Sequence, residues 1–272
     1  MKIRKQALII GALGGLGSAT IELLINNGWD VFAADIQQKV LTNYLEIDHI
    51  TPIVMDVTNE DSIKETFKLI SGQTGHLDAV IHMAGIIKVG SIAERPISDL
   101  KKVLEINLFG VYRVNKQFIP LLLERKGRII NLSSEVGKQT SAPFNGIYSI
   151  SKHALEAYSD ALRRELNFLG IKVIKIQPGP FKTNMTKNAE KLFIEAERSS
   201  IYFKRNLTKG ISYLPKVYTN AHDPVYVAKT IKRALESANP KTAYSIKVDL
   251  TRSILNVLPV KWTDKLYKKI LS

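Results

Sequence analysis

Apolar residues along this chain follow two alternating rhythms. Short runs with little polar interruption read as strands: ALIIG (7–11), DVFAAD (30–35), PIVMDV (52–57), DAVIHMAG (78–85), GRIINLSS (127–134) and IKVIKIQPG (171–179). Between them the apolar positions spread to helical spacing, as Leu16, Ile21, Leu24 and Ile25 do over 15–27. The same spacing predicts a helix through SIKETFKLI (62–70), a long helix over about 98–124 and another over about 147–169. Near-continuous apolar strands separated by helices are the signature of a parallel sheet covered on both faces. KTAYSIKV (241–248) adds a short seventh strand at the edge. With no linker, repeat or low-complexity tract, the expectation is one doubly wound α/β domain over 1–272. The segment 183–222 is less regular, and 250–272 reads as an amphipathic tail.

Composition narrows this picture. A chain of 272 residues that is 45% hydrophobic can bury a large core, and no stretch is apolar enough to span a bilayer. The start, MKIRKQALII, is basic and then apolar, but its apolar run is too short for the core of a signal peptide and glycines follow at once. There is no cysteine, and the five histidines lack ligand spacing. The expectations are a cytoplasmic protein, no disulfide and no metal. The formal charge of +14 is unevenly placed. Residues 182–272 hold 18 Lys and Arg against 7 Asp and Glu, whereas residues 1–181 hold 21 against 18. A basic last third suits a solvated surface, an acidic partner or anionic lipid. No nucleic-acid module is recognisable, so no nucleic-acid partner is expected.

Candidate chemistry begins at GALGGLG (11–17), directly after the first strand and opening a helix. Glycines there let the backbone turn and approach a pyrophosphate at the helix N-terminus. The segment parses as G-x-x-x-G-x-G on Gly11, Gly15 and Gly17, or as G-x-x-G-x-x-G on Gly11, Gly14 and Gly17. Asp35 ends the second strand, where a carboxylate accepts hydrogen bonds from an adenosine ribose and repels a 2′-phosphate; this favours NAD over NADP. Asp56 follows the third strand, placed to meet an adenine amino group. Farther on, Tyr148 and Lys152 lie four apart on a predicted helix, so the ammonium can sit beside the phenol and lower its pKa toward proton exchange with an alcohol. Ser134 ends a strand and can hold a substrate oxygen. Asn107, polar amid the apolar positions of the long helix, needs a partner.

Taken together and in order, these residues resemble the short-chain dehydrogenase/reductase family over essentially the whole length, in its compact subtype with the Tyr-x-x-x-Lys pair. The matching positions are Gly11, Gly15 and Gly17, then Asp56-Val57, Asn107, Ser134 in NLSSEVG, Tyr148 and Lys152, and Pro178-Gly179 with Thr183 in PGPFKT. The resemblance implies a single Rossmann-type domain that transfers a hydride between NAD(H) and a secondary alcohol or ketone. It implies Tyr148 as acid/base, Lys152 lowering its pKa and binding the nicotinamide ribose, Ser134 orienting the substrate oxygen and Asn107 anchoring a water in a proton relay. Leu16 in the glycine loop and Ala84 and Gly85 in HMAG join the cofactor-binding set, and Thr183 would bind the carboxamide. Downstream matches settle the glycine parse on Gly11, Gly15 and Gly17, leaving Gly14 a small loop residue. Two departures stand out. Ile10 replaces the usual Thr before the first glycine, and HMAG (82–85) replaces N-N-A-G, with His82 read as a structural hydrogen-bonder behind the cofactor.

The substrate-binding segment of such a protein would be 183–222, where Met185, Leu192, Phe193, Ile201, Tyr202 and Phe203 can line an apolar cavity. With Pro143 and Phe144 ahead of Tyr148, this suggests a lipophilic substrate, such as a hydroxysteroid, retinoid or fatty alcohol. The family likeness also implies a homodimer or homotetramer through the helices at 98–124 and 147–169. The tail packs on its own or a neighbouring subunit, caps the pocket, or lies on an anionic membrane. The other readings are an extended-type sugar-nucleotide epimerase or reductase, and a non-catalytic NAD-binding sensor.

Overall fold

The computed structural model describes residues 4–219 and 221–272. Met1 to Ile3 of the basic start, and Asn220 of the 183–222 segment, lie outside the described residues. The chain runs β1 (Lys5–Ile10), α1 (Gly15–Ile25), β2 (Trp29–Asp35), α2 (Lys39–Tyr44), β3 (Ile50–Val54), α3 (Glu60–Gln73) and β4 (Ala79–His82). The next helix begins as α4 (Ile97–Leu104), widens into one π turn (Glu105–Phe109) and continues as α5 (Gly110–Leu123). Then come β5 (Arg128–Leu132), a 3-10 turn (Glu135–Gly137), α6 (Gly146–Asn167) and β6 (Lys172–Pro178). The last third holds α7 (Asn184–Ser199), α8 (Lys204–Thr219), α9 (Val225–Glu236), β7 (Ala243–Ile246), α10 (Leu250–Leu255) and α11 (Val260–Leu271).

The strands form one seven-stranded sheet in the order β3-β2-β1-β4-β5-β6-β7, with every neighbouring pair parallel. Their apolar runs are nearly continuous because both faces are covered. In β1, Ala7 and Ile9 join the core beneath α1 and α9, while Leu8 and Ile10 join the core beneath α3, α5 and α6. Trp29, Ile21, Leu24 and Ile231 fill the first layer; Phe118, Ile70, Leu77 and Leu122 fill the second.

Strand order reverses between β1 and β4, and the crevice above this switch point is where such folds bind ligands. In the last third the structure departs from the expected irregularity at 183–222. Two sixteen-residue helices occupy it. Their amphipathic period was masked by lysines spread around the apolar stripe. Thr183 starts the first of them with a reciprocal cap, its hydroxyl accepting from the Thr186 N–H while its own N–H donates to Thr186 Oγ1.

Candidate active site

Two hollows lie side by side over the carboxyl ends of the strands, sharing a wall of Gly14, Gln37, Met83, Ala84, Gly85 and Ile86. Between them stands the amino end of α1. Gly14 caps this helix without any side-chain hydrogen bond, so the N–H groups of Gly15, Leu16 and Gly17 have no intrahelical acceptor. Gly11 has φ of +89°, and a Cβ there would lie 2.6 Å from the Ala84 nitrogen. A Cβ on Gly17 would lie 2.1 Å from the Gly11 carbonyl oxygen. Both positions therefore require glycine.

The middle positions are less one-sided than the sequence suggested. A Cβ on Gly14 would come within 3.3 Å of the Gly11 oxygen, and one on Gly15 within 3.4 Å of Thr183 Cγ2. Gly14 is thus more than a small loop residue, because it caps α1 and walls both hollows. The two parses share their obligatory members and differ only where the geometry is permissive.

The first hollow, about 570 Å³, is lined by Asp35, Ile36, Asp56, Val57, Lys102 and Glu105, among others. Asp35 is held by the Leu13 N–H on Oδ2 (3.0 Å) and the Gln37 N–H on Oδ1 (3.1 Å). Asp56 spends Oδ1 on the Thr58 N–H and hydroxyl at 2.8 and 2.7 Å. Lys102 is the basic side chain on this wall.

The second hollow, about 480 Å³, holds Ser134, Tyr148, Lys152, Pro178, Gly179 and Thr183. Ser134 and Tyr148 line this hollow together. Lys152 Nζ lies 5.7 Å from the centre of the Tyr148 ring and donates to the Leu132 carbonyl at 2.9 Å. The expected lowering of the phenol's pKa does not appear in this arrangement. Burial pushes Tyr148 up to about 12, against the opposing pull of Ser134, and burial brings the Lys152 ammonium down to about 8, against the pull of Glu156. Desolvation outweighs a cation whose three donors point partly elsewhere.

Asn107 sits in the π turn, fully buried. Its Oδ1 accepts from the Ile86 N–H, and its Nδ2 donates to the Ile86 carbonyl and to Ser151 Oγ. Ser151 in turn donates to the Tyr148 carbonyl at 2.8 Å. The side chain therefore fastens the loop after β4 to α6. A π turn leaves part of the main chain outside the regular helical ladder, and such turns gather at functional sites. Gly85 packs against this bracket, with a Cβ position 3.3 Å from Asn107 Oδ1. Gly179 is required by close approach, since a Cβ there would lie 2.1 Å from the Lys247 carbonyl oxygen. His82 lies in the sheet interior, where Nε2 meets Asn115 Oδ1 at 2.7 Å; burial lowers its pKa to about 4, leaving a neutral ring.

One feature of the site escaped the sequence reading. Tyr148, Lys152, Glu156 and Asp160 recur every four residues along α6. Glu156 accepts from Gln177 Nε2 and pairs with Lys175 at 2.9 Å, and Lys175 also pairs with Asp160 at 2.9 Å. The four-residue repeat was visible in the sequence. The partner Lys175, on a buried strand, was not. Glu135 is a second such case: buried next to Ser134, it accepts from the Asp249 N–H at 2.7 Å.

The comparisons with known proteins agree with this geometry. The family model for short chain dehydrogenases matches residues 5–192. The probable short-chain type dehydrogenase/reductase VdlC of Helicobacter pylori is 34% identical over 271 residues, covering 98% of this chain and 97% of that protein. Retinol dehydrogenase 7 of Rattus norvegicus is 32% identical over 257 residues, covering 89% and 80%. Among solved structures, an actinorhodin polyketide ketoreductase with NADPH aligns with a TM-score of 0.76 and 26% identity, covering 89% of this chain and 95% of that one.

Proposed function

This chain belongs to the short-chain dehydrogenase/reductase family and is a nicotinamide-dependent oxidoreductase acting on alcohols or ketones; from that premise we propose that it prefers NAD(H) and acts on a lipophilic secondary alcohol or ketone. The observation that carries the substrate class is the lining of the reactive hollow. Met83, Ile86, Ile87, Leu132, Met185 and Leu192 surround Ser134 and Tyr148, and among the described lining residues Lys152 is the one charged side chain. An apolar substrate gains from burial against these side chains, while Gln37, Asn184 and Asn188 are among the polar side chains in the same lining. The retinol dehydrogenase relative supports the same reading.

The residues fit a nicotinamide dinucleotide. The glycine turn that a Cβ would fill, the free N–H groups of Gly15, Leu16 and Gly17, and a hollow on each side match a pyrophosphate flanked by two nucleosides. Asp35, Asp56 and Val57 would hold the adenosine end, and Lys152, Pro178, Gly179 and Thr183 the nicotinamide end, with Ala84 and Gly85 between. The Asp35 carboxylate favours a free ribose hydroxyl and opposes a 2′-phosphate. When bound, the cofactor supplies or accepts the hydride.

The chain's own residues handle the proton. Ser134 Oγ and Tyr148 Oη converge on the substrate oxygen. In reduction, the Tyr148 hydroxyl donates its proton to that oxygen as negative charge develops, and the Lys152 ammonium stabilises the phenolate left behind. In oxidation the same groups run in reverse. Asn107 and Ser151 keep Tyr148 in register with the loop after β4 and, with a water, would complete a proton path to solvent.

The test is kinetic. Turnover of a panel of hydroxysteroids, retinoids, fatty alcohols and sugars should favour the apolar members, with kcat/KM higher for NADH than for NADPH. A preference for sugars would refute the substrate class, and a preference for NADPH would refute the role given to Asp35. The chain is further proposed to be cytoplasmic and to assemble as a dimer or tetramer through α4, α5 and α6, which size-exclusion chromatography with light scattering can check.

A further inference from the structure

The C-terminal helix α11 is divided lengthwise into stripes four residues apart. Thr263, Tyr267 and Leu271 form the stripe facing inward, lining a cavity of about 600 Å³ against Phe144 and Phe203. Asn206 Nδ2 donates to the Leu271 carbonyl at 2.7 Å, which fastens this face to α8 of the same subunit. The next stripe, Trp262 and Leu266, is turned outward, with Trp262 65% exposed. Beyond it Lys261, Lys265 and Lys269 form an exposed basic row. The turn leading into the helix adds Val257, and the first residue of the helix adds Val260, at 78% and 70% exposure.

An indole and two valines grouped in water, rimmed by lysines, mark a contact surface. Tryptophan favours a boundary that buries its ring and keeps its N–H wet, and the lysine row selects a negatively charged partner. We propose that α11, with the turn that leads into it, docks on an anionic lipid bilayer. In that pose α11 lies flat, with Trp262 and Leu266 at the headgroup boundary and Lys261, Lys265 and Lys269 against lipid phosphates. The contact is peripheral: among the described residues, no helix is long and apolar enough to cross a membrane. A second copy of the chain fits the surface less well, because each copy presents the same lysine row on a chain of net charge +14. Docking also places the cavity-lining stripe of α11 next to the lipid-facing one, giving a bilayer-dissolved ligand a short way in. This last consequence rests on the proposed substrate class, and the docking itself does not.

Vesicle flotation of the full chain tests the proposal without reference to turnover. The protein has two tryptophans, and Trp29 is 2% exposed, so an emission blue shift on mixing reports Trp262. The expected result is binding and a blue shift with phosphatidylcholine vesicles containing phosphatidylserine, weakened by salt, and little of either with phosphatidylcholine alone. At about fivefold in partitioning per lysine, K261E/K265E/K269E should lose more than about a hundredfold. Trp262→Ala should bind more weakly, and retained NADH binding by both variants would show an intact fold. Three outcomes would overturn the proposal: no flotation of the wild type, equal flotation with neutral vesicles, or unchanged partitioning of the lysine variant. So would a concentration-dependent blue shift without vesicles that tracks dimer mass, which would assign the face to self-association.

Discussion

At Tyr148, burial holds the phenol protonated well beyond neutral pH, and it brings the partner ammonium closer to neutral pH. The phenol is pushed up to about 12 and the neighbouring ammonium down to about 8, so at neutral pH the pair stands as phenol and ammonium. That is the state needed to protonate a carbonyl. Ketone reduction should therefore be level through neutral pH and fall above about pH 8, as Lys152 loses its proton; a pH profile of kcat/KM checks this. Glu156 favours the protonated form of Lys152, so Glu156→Gln should move that alkaline limb to lower pH. An unmoved limb would restrict Glu156 to packing with Lys175 and Gln177. Tyr148→Phe should retain NADH binding, measured by fluorescence, and lose at least about a hundredfold in turnover. Full turnover would sink the proton assignment.

Among the elements, the glycine turn and the π turn carry the most constraint. Gly17→Ala drives a methyl into the Gly11 carbonyl, and the backbone must shift. Affinity for NADH should fall by at least about tenfold, with destabilisation of about 1–3 kcal/mol. Calorimetric titration and thermal melting read the two effects. Asn107 couples two elements that the sheet alone does not join. Asn107→Ala strands the Ile86 N–H and carbonyl in a buried position, at a cost of about 2–4 kcal/mol. Its kcat should drop although it touches neither Ser134 nor the Tyr148 hydroxyl. A lower melting temperature with unchanged kcat would restrict Asn107 to a bracing role. The helix was legible as a helix because its apolar stripe repeats correctly. The π widening was not, since one extra residue per turn leaves no compositional mark.

Over the whole molecule, the parallel sheet, with α9 and β7 built into it and its core, forms a rigid platform, and the tail over 250–272 closes over one end of it. Among the described residues, the bonds that hold it include Glu135 accepting from the Asp249 N–H and pairing with Arg252, Gln139 Nε2 donating to Ser253 Oγ, Asn256 Oδ1 accepting from the Thr140 N–H, and Asn206 reaching Leu271. Removing residues 250–272 should thus speed amide hydrogen exchange in 135–144 by about tenfold or more while β1, β4 and β5 stay protected. Uniform loss of protection would mean that the tail is part of the main cooperative unit.

The doubly wound sheet and its strand positions, the glycine turn at Gly11 and Gly17, and the four-residue spacing of Tyr148 and Lys152 were legible in the sequence. Each depends on a local rule: a hydrophobic period, a turn that admits only glycine, or a helix spacing that aligns two side chains. The tertiary structure decided what lies between distant segments. It showed that the turn demands glycine at 11 and 17 while Gly14 caps α1 and walls both hollows, that Lys175 on β6 completes the row begun by Tyr148 and Lys152, and that Asn107 spends its amide on Ile86 and Ser151. It also showed that burial outweighs the lysine at Tyr148. Desolvation and cross-chain hydrogen bonds depend on which segments meet, and no periodicity within a single segment encodes that.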